Sequence, residues 1–192
     1  MVNELQYHRA ESEIADEQKW VEAALADPAK FEMLYNKYYE PILKFVYKRV
    51  EGKETAFDIT SQVFLNAMVS LKSYHFKGKP FSSWLYRIAL NEINQLYRKD
   101  KIKRMVKIEV QEIDSMMDEM DIHKEQEIKH QQIAVALTQL DNDDLQLVEM
   151  RFFEKRPFKE IAEILNITEV NAKVKMYRII EKLKKSISKA KV

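Results

Sequence analysis

Two glycines, Gly52 and Gly78, and four prolines are all that punctuate a chain of 192 residues. β-Sheet architectures close their hairpins with glycine-, asparagine- and proline-rich turns, so a chain this poor in breakers favours helices. Between the breaks, apolar residues recur every three or four positions, the period of a helix with one buried face. The expected fold is all-α.

Ser12–Leu25 reads as a short acidic helix with Ile14, Trp20, Val21, Ala24 and Leu25 on its apolar side, stopped by Asp27-Pro28. Ala29–Val50 follows as an amphipathic helix with Pro41 inside it and Gly52 as its C-terminal stop. Thr55–Ser73 buries Ala56, Ile59, Val63, Ala67 and Leu71. After a loop around Gly78, a long helix opens near Pro80, where proline is tolerated in a first turn. It buries Trp84, Leu85, Ile88 and Leu96. Weakly periodic, Met-rich and then acidic residues read as a linker. Helices resume at His123–Leu140, Asp143–Phe153, Phe158–Leu165 and Glu169–Ser186. The expected organisation is an acidic extension (1–27), a first helical domain (28–103), a linker (104–122) and a second helical domain (123–192).

Net charge is only +1, but it is unevenly spread. Residues 1–27, 28–108, 109–149 and 150–192 carry −5, +9, −10 and +7. Two basic blocks separated by an acidic one point to polyanion contacts in two places. The absence of cysteine excludes disulfides and thiolate–metal sites and fits a reducing, cytoplasmic setting. The N-terminus lacks the basic and apolar segments of a signal peptide, and no apolar run approaches a membrane span. His8, His75, His123 and His130 lack metal-ligand spacing, and Gly78 stands alone rather than in a phosphate-cradling loop. No metal, cofactor or catalytic residue is expected, and the chain does not read as an enzyme.

Each basic block contains a motif. From Tyr74 to Arg104, aromatic rings alternate with fixed positive charges, a surface suited to unstacked bases and their phosphates. From Phe158 to Arg178 the pattern is that of a helix-turn-helix. Ala162 is small where two helices cross, and Asn166 stands where the turn needs a positive φ. Ile167 plugs the turn, and Thr168 caps the second helix. That helix buries Ala172, Met176, Ile179, Ile180 and Leu183 and presents Asn171, Lys173, Lys175, Arg178 and Lys182. A major groove, walled by phosphate and floored by acceptors, takes such a face.

These residues resemble the bacterial sigma factors of the extracytoplasmic-function (ECF) group, over about Phe31 to Ile187. Phe81-Ser-Ser-Trp-Leu-Tyr-Arg-Ile-Ala-Leu-Asn91 is similar to the family's F-x-x-W-L-Y-x-I-A-x-N. Asp58-Ile-Thr-Ser-Gln-Val-Phe-Leu65 resembles D-L-V-Q-E-V-F-L, and Glu160-Ile-Ala-Glu-Ile-Leu165 resembles E-I-A-E-x-L. The resemblance implies two helical domains, sigma regions 2 and 4. It implies a promoter-specificity subunit that acts on core RNA polymerase, with an anti-sigma factor as a further partner and a monomeric free state.

By resemblance, Asp58, Gln62, Leu65 and Asn66 bind core polymerase, although Ser61 and Gln62 depart from the usual Gln and Glu. Phe76, Ile88 and Asn91 take a flipped-out base of the −10 element, and Lys77, Lys79, Arg87, Arg98 and Lys99 hold phosphates. An aromatic face with edge hydrogen bonds offsets the few kcal/mol that unstacking a base costs. Asn171, Lys173, Lys175, Arg178 and Lys182 read the −35 duplex, with Lys175 where the family has Arg. Asp141 replaces the family's Pro and caps the next helix. The acidic linker follows the RNA exit path. The segment before Pro28 has no counterpart in the family; it covers a face of the first domain or contacts a regulator. The competing reading is a dimeric helix-turn-helix regulator that binds a palindrome without polymerase.

Overall fold

The computed structural model describes residues 11–76, 78–100, 116–117 and 126–189. The chain forms two compact units, Met1–Lys103 and Arg104–Val192. All regular elements among the described residues are helical.

The first unit contains α1 (Glu11–Ala26), α2 (Glu32–Tyr47), α3 (Lys53–Ser70) and α4 (Phe81–Asp100). Asp27 ends α1 and caps the 3-10 turn Pro28–Phe31 by accepting from the Ala29 N–H at 3.0 Å. Helix α2 turns Leu34, Tyr38, Ile42, Phe45 and Val46 inward. Pro41, which has no N–H to give, lies on its exposed side. The expectation that Gly52 terminates this helix is corrected: α2 ends at Tyr47. Gly52 instead opens α3, as its N-cap, at φ +79. A Cβ there would meet nothing closer than 3.8 Å, so conformation rather than space selects glycine.

Helix α3 buries Ala56, Thr60, Val63, Phe64 and Ala67, while Ile59 is only half-buried. The Thr60 hydroxyl donates to the Ala56 carbonyl at 2.7 Å, which lets a polar residue face the core. Helix α4 buries Phe81, Leu85, Ala89, Leu90 and Ile93. The expected face of Trp84, Ile88 and Leu96 is rotated off this seam, and those residues are half-buried. The packing decides it: α4 sits against both α2 and α3, and the small Ala89 allows that approach. Each fully buried large apolar side chain contributes about 1.5–3 kcal/mol.

The described part of the acidic extension, from residue 11 on, is folded onto the other helices of this unit. Helix α1 packs against α2, α4 and the 3-10 turns, burying Val21 and Ala24 but also Glu17. Leu25, expected on the apolar side, is exposed.

The second unit contains α5 (Gln126–Leu137), α6 (Asn142–Val148), α7 (Phe158–Leu165) and α8 (Glu169–Lys189). The Asp141 carboxylate accepts from the Asp144 N–H at 2.8 Å, as a cap should. The expected single helix Asp143–Phe153 becomes α6 and a π-helical segment, Glu149–Phe153. Arg156 follows, buried and paired with the Glu154 and Glu160 carboxylates. Residues 104–115 and 118–122 of the expected linker lie outside the described residues; Met116 and Met117 are buried.

Helix α7 ends at Asn166, with φ 56 and ψ 43. The Ile167 N–H then bonds the Ala162 carbonyl at 2.9 Å, closing a Schellman turn. The Thr168 hydroxyl accepts from the Asn171 N–H at 3.2 Å and starts α8. Asn166→Val puts a β-branched residue in the left-handed region and is expected to destabilise this unit by ~1–2 kcal/mol. Asn166→Gly leaves it unchanged or slightly more stable, and urea unfolding of the pair reads the difference.

Candidate nucleic-acid interface

The expected residues fall on three surfaces, two in the first unit and one in the second. The first of them is built on α4 and the turn before it. Tyr74 leaves a 3-10 turn with its N–H bonded to the Leu71 carbonyl at 3.0 Å. Its ring lies 5.3 Å from Phe81 and 4.9 Å from Trp84, while Phe81 is also 6.0 Å from Tyr38. Burial, and then the Glu17 carboxylate, push the Tyr74 hydroxyl up to about 12, so it stays protonated.

Beyond Tyr74 the chain turns outward. Phe76 is 37% exposed, and a ring left partly in water beside a filled aromatic cluster is not packing the core. Gly78 has φ +67 with open space around it, so the turn demands its conformation. Lys79 is half-buried. Arg87, Ile88, Asn91 and Arg98 share the α4 face turned away from the core, with Asn91 and Arg98 exposed and the other two half-buried. Partial burial lowers the Arg87 pKa without threatening its charge. Lys77 and the Lys99 side chain lie outside the described residues.

The far end of the turn is held from a distance in sequence. Glu17 of α1 is buried and accepts from the Phe81 N–H at 2.9 Å, at the start of α4. The same carboxylate accepts from the Tyr38 hydroxyl and pairs with Lys37 at 3.0 Å. Lys37 lies 4.9 Å above the Trp20 ring of α1. One acid among the five of a weakly amphipathic helix gave no signal that it would be inside; it looked like one more solvated charge.

On α3, Asp58, Gln62 and Leu65 are exposed along one helical face. Asn66 is half-buried: it accepts from Gln62 at 2.9 Å and donates to Glu92 of α4 at 2.8 Å. Met68 and Val69 extend the exposed apolar patch, at 44% and 71% exposure. Val69 falls four residues after Leu65 on the same face, a spacing that was visible in the sequence.

In the second unit, Asn171, Lys173, Lys175, Arg178 and Lys182 are all exposed on α8. Their charges are not equally available. Lys173 pairs with Glu169 at 2.7 Å, and Lys182 pairs with Asp144 at 3.1 Å. Val170, Val174 and Tyr177 stand exposed among them, three apolar residues that α8 does not bury. An open groove lined by Gln139, Tyr177, Arg178, Lys182 and Lys185 runs beside this face. No group of three or more potential metal ligands occurs among the described residues, and none of their helices is long and apolar enough to cross a membrane.

The likeness to known proteins follows the same division. Residues 34–102 match the family model described as Sigma-70 region 2, and residues 130–183 match Sigma-70, region 4. The chain is 27% identical over 181 residues to the ECF RNA polymerase sigma factor BldN of Streptomyces coelicolor, covering 91% of this chain and 67% of that one. It is 28% identical over 163 residues to the RNA polymerase sigma factor YlaC of Bacillus subtilis, covering 83% and 93%. Its fold is similar to that of CnrH, solved in complex with the cytosolic domain of CnrY, at TM-score 0.51 and 18% identity over 88% of this chain and 94% of that one.

Proposed function

The chain belongs to the sigma-70 family, in its extracytoplasmic-function group, and from that premise we propose how its surfaces divide the work of initiation. It acts with core RNA polymerase in promoter-specific transcription initiation and is not an enzyme. The observation that carries the reading is the presence of regions 2 and 4 in one chain, in that order.

The α3 face of Asp58, Gln62 and Leu65, widened by Met68 and Val69, is the polymerase-docking surface, with Asn66 at its edge. Phe76, Ile88 and Asn91 capture an unstacked −10 base, while Lys77, Lys79, Arg87, Arg98 and Lys99 hold its phosphates. Asn171, Lys175 and Arg178 enter the −35 major groove, flanked by Lys173 and Lys182. Val170, Val174 and Tyr177 join them, because an apolar side chain in a major groove reads thymine methyl groups. The free chain is a cytoplasmic monomer. By analogy with the CnrH complex it binds a protein regulator, an anti-sigma factor.

Transcription by core polymerase plus this chain from a promoter library is the test. Sequence-selective initiation is the expected result. Tight binding of a palindrome by a dimer without polymerase overturns it and favours a plain helix-turn-helix regulator. Within the −35 surface, Arg178→Ala is expected to lower the slope of log affinity against log salt by about 1. Lys182→Ala changes that slope less, because Asp144 already engages its ammonium. Fluorescence anisotropy on a −35 duplex across a salt series measures both.

A further inference from the structure

Both ends of the Phe76 turn are fixed, and the fixing at the far end comes from outside the matched region. Glu17 lies N-terminal to the stretch that matches region 2, which begins at residue 34. Its buried carboxylate gathers donors from two helices: Lys37 and Tyr38 of α2, and the Phe81 N–H that begins α4.

A buried charge is an expensive way to hold helices together, since apolar residues of similar volume commonly do as well. What a carboxylate supplies is direction. Three donors converging on one group fix how far α4 extends along its axis and how it is rotated against α2. The negative charge also complements the N-terminal end of the α4 dipole and satisfies one of its orphan N–H groups. Phe76 sits five residues before Phe81, and Asn91 ten residues after it along the same rigid helix. A shift at Phe81 is therefore passed to both. Edge hydrogen bonds and ring stacking tolerate displacements of only about 0.5 Å.

We propose that Glu17 is a positioning residue for −10 base capture, setting the register of α4 so that Phe76 and Asn91 meet the same base. The proposal rests on the base-capturing role given to those two residues above. It also assigns the acidic extension a part in promoter opening, as the strap that carries Glu17.

The test uses the full chain with core polymerase on pre-melted promoters that carry either the preferred base or a substituted one at the captured −10 position. The readout is the ratio of transcripts from the two templates. That ratio does not depend on how much of a variant is folded, so a merely structural role leaves it unmoved. Asn91→Ala and Glu17→Ala are both expected to flatten the ratio, by about five-fold or more, the low end of what one lost base-edge contact costs in discrimination. Glu17→Gln keeps an acceptor for Phe81 but loses the charge paired with Lys37, and falls between Glu17→Ala and wild type. If Glu17→Ala keeps the wild-type ratio while Asn91→Ala loses it, Glu17 only holds the fold and the proposal fails alone. If Asn91→Ala also keeps the ratio, the base-capture reading falls and takes this one with it. Should Glu17→Ala not fold, the isosteric Glu17→Gln decides, and an unchanged ratio overturns the proposal.

Discussion

Phe76→Ala lowers open-complex formation on a duplex promoter by roughly 5- to 150-fold, the range set by 1–3 kcal/mol for one base–aromatic stack. Affinity for core polymerase stays at its wild-type value. The two effects separate because Phe76 lies on the turn before α4, whereas the proposed polymerase surface lies on α3. The ring is partly exposed, so its loss empties no core cavity and the thermal stability of the unit is nearly unchanged. Adding Asn91→Ala is expected to deepen the defect less than additively, because both residues are proposed to hold the same base and the second loss then finds it already released. Permanganate footprinting of the −10 region reports opening, and native gel shift with core polymerase reports assembly. Loss of core binding in Phe76→Ala would mean that the turn belongs to the polymerase surface instead.

Phe81→Ala has the opposite profile and the largest cost in stability. The side chain is 1% exposed and touches the rings of Tyr38, Tyr74 and Trp84. Removing it leaves a cavity at the junction of α2, α4 and the Phe76 turn, and truncations of this kind cost ~3–5 kcal/mol. For a unit of this size that corresponds to a drop in Tm of roughly 12–40 °C. The unit Arg104–Val192 is expected to melt as before, so differential scanning calorimetry distinguishes a local loss from a general one. Retention of the backbone N–H means that Glu17 keeps its partner at position 81; the defect is packing, not capping.

The second unit was the more legible from sequence, and the reason is that its turn is local. Ala162, Asn166, Ile167 and Thr168 fall within seven consecutive positions; there Asn166 takes the positive φ and Thr168 caps α8, as their side chains predict. The inward residues of α8 obeyed their period for the same reason: one long helix lies on α5, α6 and α7 with one continuous face. Helix α4 was harder. It contacts α2 and α3 together, and the aromatic cluster draws Trp84 to the flank rather than the centre. Periodicity places a face only to within a residue or so, which here exchanged Trp84 and Ile88 for Phe81, Ala89 and Ile93. The Gly52 turn was misread because a positive φ can close one helix or open the next, and only the backbone shows which.

Glu17 and Val174 mark the two limits of sequence reasoning. An acid is normally solvated and a valine normally buried, and each breaks its rule at a proposed working surface. Asp144 adds a third case, since its pairing with Lys182 joins α6 to α8 across 38 residues. Such pairings carry no local signature.

The Glu17–Phe81 contact spans 64 residues, and this has a consequence during synthesis. Helix α1 leaves the ribosome before α4, and its buried carboxylate has no α4 to cap until residue 81 has followed. Long-range closure of this kind is slow relative to local helix formation, because loop entropy is spent before the contact forms. Helix α3, the proposed polymerase-docking element, is complete before that closure. On the proposed assignment, a nascent chain completes its assembly helix before its promoter-opening turn is anchored, so the order of translation runs in the order of use.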